Sequence, residues 1–385
     1  MDFSLDEQHE MLRDMARDFA QNEVAPGAAE RDATGAYPAD IVRKMADLGL
    51  LGVAVPEQWG GAGMDNLAYI VALEEICVAC ASTGVIMSVN NSLVCDPIRR
   101  YSTDEQKERI LKPLAAGELL GAYCLSEAGS GSDSAALITV ADKTGDSWTL
   151  NGTKCWVTNG SQADIFIIFA TTDRDKGHRG ITAFLVEKSR SGFSVGKVEK
   201  KLGINASSTT EILLENVELP DENRLGEVGQ GFRIAMGTLD GGRIGIAAQA
   251  VGLARASLEA SLRYSQQRTA FGKPISNLQG LQFMLADMAT RTDAARLLVH
   301  QAAWRKDQGL PYTKQAAMAK VFAAEAAMWV TTKGIQVHGG VGYTKDFPVE
   351  RYFRDAKITE IYEGTSEIQR LVIARELIRE LGDSG

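Results

Sequence analysis

Cysteine and histidine are scarce in this sequence, which contains five cysteines and four histidines among 385 residues. Cys77 and Cys80 form a C-x-x-C, but no second pair and no nearby histidine completes a four-ligand zinc site. The histidines are dispersed and form no ligand pair at helical spacing. An odd number of cysteines without an export signal indicates reduced thiols. We therefore expect no metal site and no disulfide framework.

Long apolar runs and clusters of positive charge are also missing. No segment has the ~18 uninterrupted apolar residues that a spanning helix needs, and the first residues lack a signal-peptide pattern. The formal charge is −9, from 41 Lys and Arg against 50 Asp and Glu. That balance disfavours nucleic-acid binding. We expect a protein of the cytoplasm, or of the mitochondrial matrix if a transit peptide has been removed, with no membrane contact.

The hydrophobic pattern changes twice along the chain. Residues 1–120 have helical character, whereas residues 121–230 contain short β-branched and aromatic runs separated by turn residues. One predicted turn is Asn151-Gly152, which favours a hairpin between two short strands. Helical periodicity returns in residues 231–385. The predicted fold class is mainly α with a central β domain, in three domains that end at 120, 230 and 385.

Two segments could carry chemistry. The first, residues 123–133, is rich in glycine and serine and could hold a phosphate or a flavin edge, although such a stretch is also typical of a plain loop. The second, residues 358–370, places Glu363 before Gly364, and Ser366 to Gln369 resembles a capping box. Glu363 should therefore lie in a loop beside a helix N-terminus, where a carboxylate could also be a solvated dipole partner.

Five segments together resemble the acyl-CoA dehydrogenase family, in the family's order and across essentially the whole chain. Residues 361–369 resemble its C-terminal signature, and residues 123–133 resemble its first signature. Residues 156–158 are similar to its flavin-facing strand, residues 268–272 to its inter-subunit flavin contact, and residues 336–340 to a loop that packs on FAD. The resemblance implies a helical domain, a β-barrel-like middle domain and a C-terminal four-helix bundle.

The resemblance also implies which residues hold FAD. Contacts from the home subunit would come from Tyr123, Leu125, Ser126, Gly131, Ser132, Trp156, Val157, Thr158, Thr365, Ser366 and Glu367. Contacts from a neighbouring subunit would come from Arg268, Phe271, Gln279, Gln336, Val337, His338, Gly339 and Gly340. A site shared in this way implies an oligomer, and family members are usually homotetramers built as dimers of dimers.

For the substrate, the resemblance implies contacts between an acyl-CoA thioester and Ser132, Asp240, Gly241, Gly242, Arg243, Tyr362 and Gly364. Some relatives carry their catalytic glutamate at the position of Gly242, but glycine cannot abstract a proton, so Glu363 is the expected base. Arg243 should lie close enough to tune that carboxylate. Residues 81–93 resemble the acyl-pocket segment of short-chain, butyryl-CoA dehydrogenases.

The implied reaction is removal of the α-proton by Glu363 and of the β-hydrogen as hydride by flavin N5, giving a trans-2-enoyl-CoA, with an electron transfer flavoprotein as electron acceptor. Two alternatives remain. A flavin oxidase of this superfamily carries Asp where Glu363 stands, and a non-enzymatic DNA-binding relative would need a basic face. Asn205 and His338 depart from the family pattern, which leaves the charge near the substrate and the packing beside FAD open.

Overall fold

A computed structural model describes residues 4–382, in which helices come first, strands occupy the middle and long helices follow. The predicted fold class, mainly α with a central β domain, is confirmed. Within residues 4–382, no helix combines the length and apolar character needed to cross a membrane.

Residues 4–120 contain eight α-helices, two of which form a buried centre. These helices are α1 (Glu7–Phe19), α2 (Ala28–Thr34), α3 (Ala39–Asp47), α4 (Asn66–Ala79), α5 (Ala81–Ser88), α6 (Asp96–Tyr101), α7 (Asp104–Gln106) and α8 (Lys112–Ala115). A π-helical segment, Val89–Cys95, continues α5. Helices α4 and α5 are buried on nearly every side, which their continuous apolar composition favours.

The middle part forms one twisted sheet. Its strands are β1 (Gly121–Cys124), β2 (Val140–Thr144), β3 (Ser147–Thr158), β4 (Ile165–Thr171), β5 (Ile181–Glu187), β6 (Phe193–Val198), β7 (Thr209–Pro220) and β8 (Arg224–Leu225). The strand order is β6-β7-β3-β2-β4-β5-β8, and β1 pairs in parallel with β4. The inward side chains of this sheet form their own apolar core.

The hairpin predicted at Asn151-Gly152 is wrong. Strand β3 runs through both residues, and its pairing with β7 shifts register between Leu150 and Gly152. Gly152 is needed there because a Cβ would lie 2.8 Å from the Cβ of Thr139. A β-bulge tolerates the same residues as a tight turn. The actual hairpin joins β2 to β3 through Gly145 and Asp146, with Gly145 at a φ of +60°.

The C-terminal part is a helical bundle with a small hairpin. Helix α9 (Gly231–Gln267) precedes strands β9 (Thr269–Ala270) and β10 (Lys273–Pro274), and α10 (Gln279–Asp307), α11 (Thr313–His338), α12 (Val349–Lys357) and α13 (Ser366–Gly382) follow. Helices α9, α10, α11 and α13 pack side by side. A Cβ on Gly334 of α11 would meet Ser257 of α9, so these two helices approach very closely.

Asn205 lies at a contact between the three parts. Its amide donates to Asp32 at 2.9 Å, and Arg354 also binds Asp32. The neighbouring backbone N–H of Ile204 donates to buried Asp355 at 2.6 Å. Asn205 therefore joins the sheet to α2, beside α12, by a hydrogen bond from an uncharged amide to a carboxylate.

Candidate active site

Glu363 lies in a strained turn between a short 3₁₀ helix, Ile358–Glu360, and α13. Its φ is +53°, and that of Gly364 is +95°. A non-glycine residue in the left-handed region costs about 1–2 kcal/mol. The predicted position, a loop beside a helix N-terminus, is confirmed.

The capping pattern at this helix differs from the prediction. Thr365, rather than Ser366, caps α13, because its hydroxyl accepts from the Ile368 N–H at 3.3 Å. The Gln369 side chain donates to the Gly364 carbonyl at 2.8 Å instead of returning to Ser366. Gln369, predicted to close a capping box, thus stabilises the Glu363 turn instead.

The Glu363 carboxylate is partly buried and incompletely paired. Its Oε2 atom is shielded from solvent and has no hydrogen-bond partner. Burial raises the pKa of Glu363 to about 7, against the opposing effect of two cations, Lys320 and Arg243. A carboxylate with a pKa near neutrality is suited to accept a proton.

Helix α9 leaves room for this carboxylate at Gly242. A Cβ there would collide with Glu363 Oε2 and would lie 2.7 Å from Cδ2 of Leu93. Leu93 belongs to the π-helical segment after α5, so the end of residues 81–93 lies beside Glu363. The role of that segment in an acyl pocket stays a prediction.

Arg243 is buried near Glu363, but its ion pair is with Asp240 on the same helix. Thr313 donates to the other Asp240 oxygen at 2.7 Å. The Arg243 charge still lowers the pKa of Glu363, which agrees with the predicted tuning role. Asp240 and Arg243 are thus fixed one helical turn from each other, beside Gly242.

Further along α9, polar side chains cover the helix face that carries Gly242. Gln249 is fully buried, accepts from the Tyr362 hydroxyl and donates to the Ala81 carbonyl at 3.0 Å. Between Gly242 and Gln249 lies Gly245, where a Cβ would be 2.7 Å from the Tyr69 hydroxyl. Gln249 is about 10 Å from Gly242 along the helix axis.

The loop of residues 123–133 is held to the sheet by a buried ion pair. Lys154 Nζ lies 2.7 Å from Glu127 and 3.2 Å from the Leu125 carbonyl. Glu127 also accepts from the backbone N–H groups of Ile138 and Thr139. The loop therefore has a fixed shape, although Gly129, Gly131 and Ser132 are exposed.

The outer side of this loop is open and small-chained. A Cβ on Gly131 would meet no atom within 4 Å, and Ser132 is exposed. Nearby on β3, Trp156 is 63% exposed at a φ of +60°, Thr158 is half-buried, and Val157 points into the sheet core. Small polar residues beside an exposed aromatic ring fit a planar, hydrogen-bonding cofactor such as a flavin. Val157 could offer such a group only its backbone.

The other predicted flavin contacts gather at the far end of the bundle. Gly242 and Gln267 are separated by about 37 Å along α9. Arg268, Phe271 and Gln279 follow, and Phe271 is 91% exposed at a φ of +53°. Residues 336–340 lie at the same end, because the buried ring of His338 stacks on Tyr264 with centroids 4.3 Å apart. The structure does not bring these residues to the Glu363 site of the same chain.

Four residues of the site were not predicted from the sequence: Glu127, Lys154, Gln249 and Lys320. Lys320 is fully buried on α11 and donates to the Gly364 carbonyl at 2.7 Å. It is the one charged residue between Ala316 and Ala324. A lone lysine in an alanine-rich helix could have signalled burial. The Glu127–Lys154 pair spans 27 positions and leaves no local pattern.

Comparison with known proteins agrees with this arrangement. Three family models match, described as the acyl-CoA dehydrogenase N-terminal domain over residues 6–118, the middle domain over residues 122–217 and the C-terminal domain over residues 229–378. A short-chain specific acyl-CoA dehydrogenase of Clostridium acetobutylicum is 53% identical over 98% of this chain and 100% of its own.

Two solved structures superpose closely. Butyryl-CoA dehydrogenase from Megasphaera elsdenii has a TM-score of 0.97 and 46% identity, over 98% of this chain and 100% of its own. A chain from a structure described as an electron transferring flavoprotein of Acidaminococcus fermentans has a TM-score of 0.98 and 48% identity, over the same shares. From these matches over nearly its full length, the chain belongs to the acyl-CoA dehydrogenase family.

Proposed function

We propose that this protein oxidises short-chain acyl-CoA thioesters of the butyryl-CoA type to trans-2-enoyl-CoA, with FAD as cofactor and Glu363 as the base. The single observation that carries the proposal is the Glu363 carboxylate. It has an unpartnered oxygen, lies in space left by Gly242, and has a pKa near 7. An α-proton of a thioester is weakly acidic, so its removal needs a base of this kind.

The chain's own groups orient the thioester. Asp240 and Arg243 border the site on α9, and the backbone N–H of Glu363 donates to the thioester oxygen as negative charge develops there. Substrate binding removes water from Glu363, which strengthens its basicity. Bound flavin supplies the acceptor for the hydride that leaves the β-carbon.

The flavin is held by two sets of residues from different subunits. The home set comprises Tyr123, Leu125, Ser126, Gly131, Ser132, Trp156, Val157, Thr158, Thr365, Ser366 and Glu367. The second set comprises Arg268, Phe271, Gln279 and residues 336–340, which lie too far along the bundle to reach their own Glu363 site. Their position at the far end, with Phe271 almost fully exposed, supports a homotetramer in which each flavin site is shared.

The preference for short acyl groups is supported by the buried side chain of Gln249, which lies beyond Gly242 along α9. Gln249 is anchored at both ends of its amide, to Tyr362 and to Ala81, so it cannot swing aside without leaving a buried amide unpaired. Electrons leave through an electron transfer flavoprotein. A chain similar to this one occurs in a structure described as such a protein, which supports this partner.

The proposal is tested by anaerobic titration of the FAD-bound protein with butyryl-CoA, isobutyryl-CoA and octanoyl-CoA, following bleaching of the flavin. We expect butyryl-CoA to bleach the wild type but not Glu363→Gln, which should still bind ligand. A wild type that stays yellow with every thioester would exclude dehydrogenation. Rapid peroxide formation during turnover would indicate an oxidase instead.

A further inference from the structure

Lys320 is a buried cation that the proposed reaction does not yet use. Its side chain is fully shielded from solvent on α11, where an ammonium group is costly to bury. Across residues 4–382, no carboxylate oxygen forms an ion pair with Nζ within 4.0 Å. Its hydrogen bond goes to a backbone carbonyl, that of Gly364, at 2.7 Å. A charge retained at such a cost points to a role in the site.

The Gly364 carbonyl is a fixed point of the Glu363 turn. It accepts from both Lys320 and Gln369, from two different helices. Glu363 has a positive φ, which a non-glycine residue keeps only when its surroundings hold it there. Lys320 therefore restrains the peptide that carries the base.

Lys320 also acts on the charge of the base. It is the first of two cations that lower the pKa of Glu363 against burial, and the second, Arg243, is already paired with Asp240. The pKa of Lys320 is itself lowered to about 8 by burial, so its ammonium form predominates at pH 7. The other titratable groups that face this pair are Tyr69 of α4, Tyr123 of β1, Tyr362 of the turn, Glu360 and Glu367.

We propose that Lys320 is a positioning residue for proton abstraction, which holds the Glu363–Gly364 turn through the Gly364 carbonyl and keeps a positive charge beside the carboxylate. This inference rests on the proposed role of Glu363 as the base. Without Lys320, the base would be held less firmly and would retain its proton to higher pH.

The test compares wild type with Lys320→Met, which keeps the length of the side chain but removes its charge and its donors. The matched control is Lys314→Met, on the same helix, whose ammonium pairs with Glu380 at the surface. Two quantities are measured against pH: the rate of anaerobic bleaching by butyryl-CoA, and the infrared carbonyl band of protonated Glu363. The band is identified by subtracting the spectrum of Glu363→Gln.

For Lys320→Met, we expect the midpoint of both titrations to rise by about one pH unit, and bleaching at pH 7 to slow about 5-fold. KM for butyryl-CoA should change little, because the Lys320 side chain is fully shielded from solvent and donates to a backbone carbonyl. Lys314→Met should superpose on wild type. Lys320→Gln keeps an amide donor without the charge, so it should retain FAD and show the same upward shift even if Lys320→Met folds poorly.

The opposite results separate the two proposals. Wild-type midpoints in FAD-bound Lys320→Met and Lys320→Gln would overturn the role of Lys320, whether or not Glu363→Gln is inactive. Normal bleaching by Glu363→Gln would instead overturn Glu363 as the base. The infrared midpoint still reports whether Lys320 controls the charge of Glu363 in that case.

Discussion

A side chain at Gly242 of α9 would collide with Oε2 of Glu363. The two residues are 121 positions apart, and the absence of a Cβ on one provides the space for the carboxylate of the other. Leu93 closes the same space from a third segment, with Cδ2 2.7 Å from the Cβ that Gly242 lacks.

Gly242→Ala should therefore reduce activity more than stability. The added methyl displaces the flexible end of Glu363, and misplacement of a reacting group by about 1 Å can cost about 100-fold in rate. Alanine also favours a helix over glycine by about 1 kcal/mol, which offsets part of the strain. We expect bleaching by butyryl-CoA to slow about 10- to 100-fold, with a small change in Tm.

Gly237→Ala is the matched control for this change. It lies on the same helix, where a Cβ would be 3.3 Å from the Tyr101 hydroxyl, outside the Glu363 site. Equal loss of activity in both variants would show that glycine matters for the helix itself and not for the carboxylate.

The stability of Glu363→Gln should exceed that of wild type above neutral pH. The pKa of Glu363 is raised from 4.5 to about 7 in the folded protein. Between these two pH values, the folded protein therefore holds a proton that the unfolded chain has released. Stability from this group is complete below pH 4.5 and is lost as pH rises through 7, by up to about 3 kcal/mol. Glutamine has no such titration. Urea unfolding of both proteins at several pH values should show a gain for Glu363→Gln that grows between pH 4.5 and 8; a gain independent of pH would contradict the shift.

Elements that have local patterns could be predicted from the sequence, whereas elements that depend on distant contacts could not. The turn at Glu363 was predictable because glycine and cap residues follow it directly. Asn151-Gly152 was misread because a bulge and a hairpin tolerate the same residues, and only the position of Thr139 distinguishes them. Lys320 was not predicted because helical periodicity does not show which face of α11 is buried against other parts of the chain.

The domain boundaries at residues 120 and 230 stay predictions. They are supported by the start of β1 at Gly121, the end of β8 at Leu225 and the start of α9 at Gly231. The separation of about 37 Å between Gly242 and Gln267 could not be inferred before α9 was known to be one unbroken helix.

Lys154→Met should destabilise the middle domain and weaken FAD retention. It leaves Glu127 buried without its cation, and breaking a buried pair costs about 3–5 kcal/mol. Adding Glu127→Gln should recover part of the loss, because it removes the buried charge and its amide oxygen can still accept from one of the two N–H groups of Ile138 and Thr139. Urea unfolding and flavin release measure the two effects. Lys176→Met, which breaks an exposed pair with Asp173, should leave the free energy of unfolding nearly unchanged; an equally small effect of Lys154→Met would show that the buried pair is not required.

Phe271→Asp should separate subunits and release FAD without unfolding the chain. Phe271 is 91% exposed at a φ of +53°, a conformation that aspartate adopts more readily than phenylalanine. The charge should therefore disturb an interface and leave the monomer intact. Light scattering should show a smaller assembly and absorbance a lower flavin content, with helical circular dichroism unchanged. Val228→Asp, at an exposed apolar residue between β8 and α9, is the control and should retain both. An unchanged assembly with full flavin content in Phe271→Asp would mean that each chain completes its own flavin site, because no partner would then be needed at the far end of the bundle.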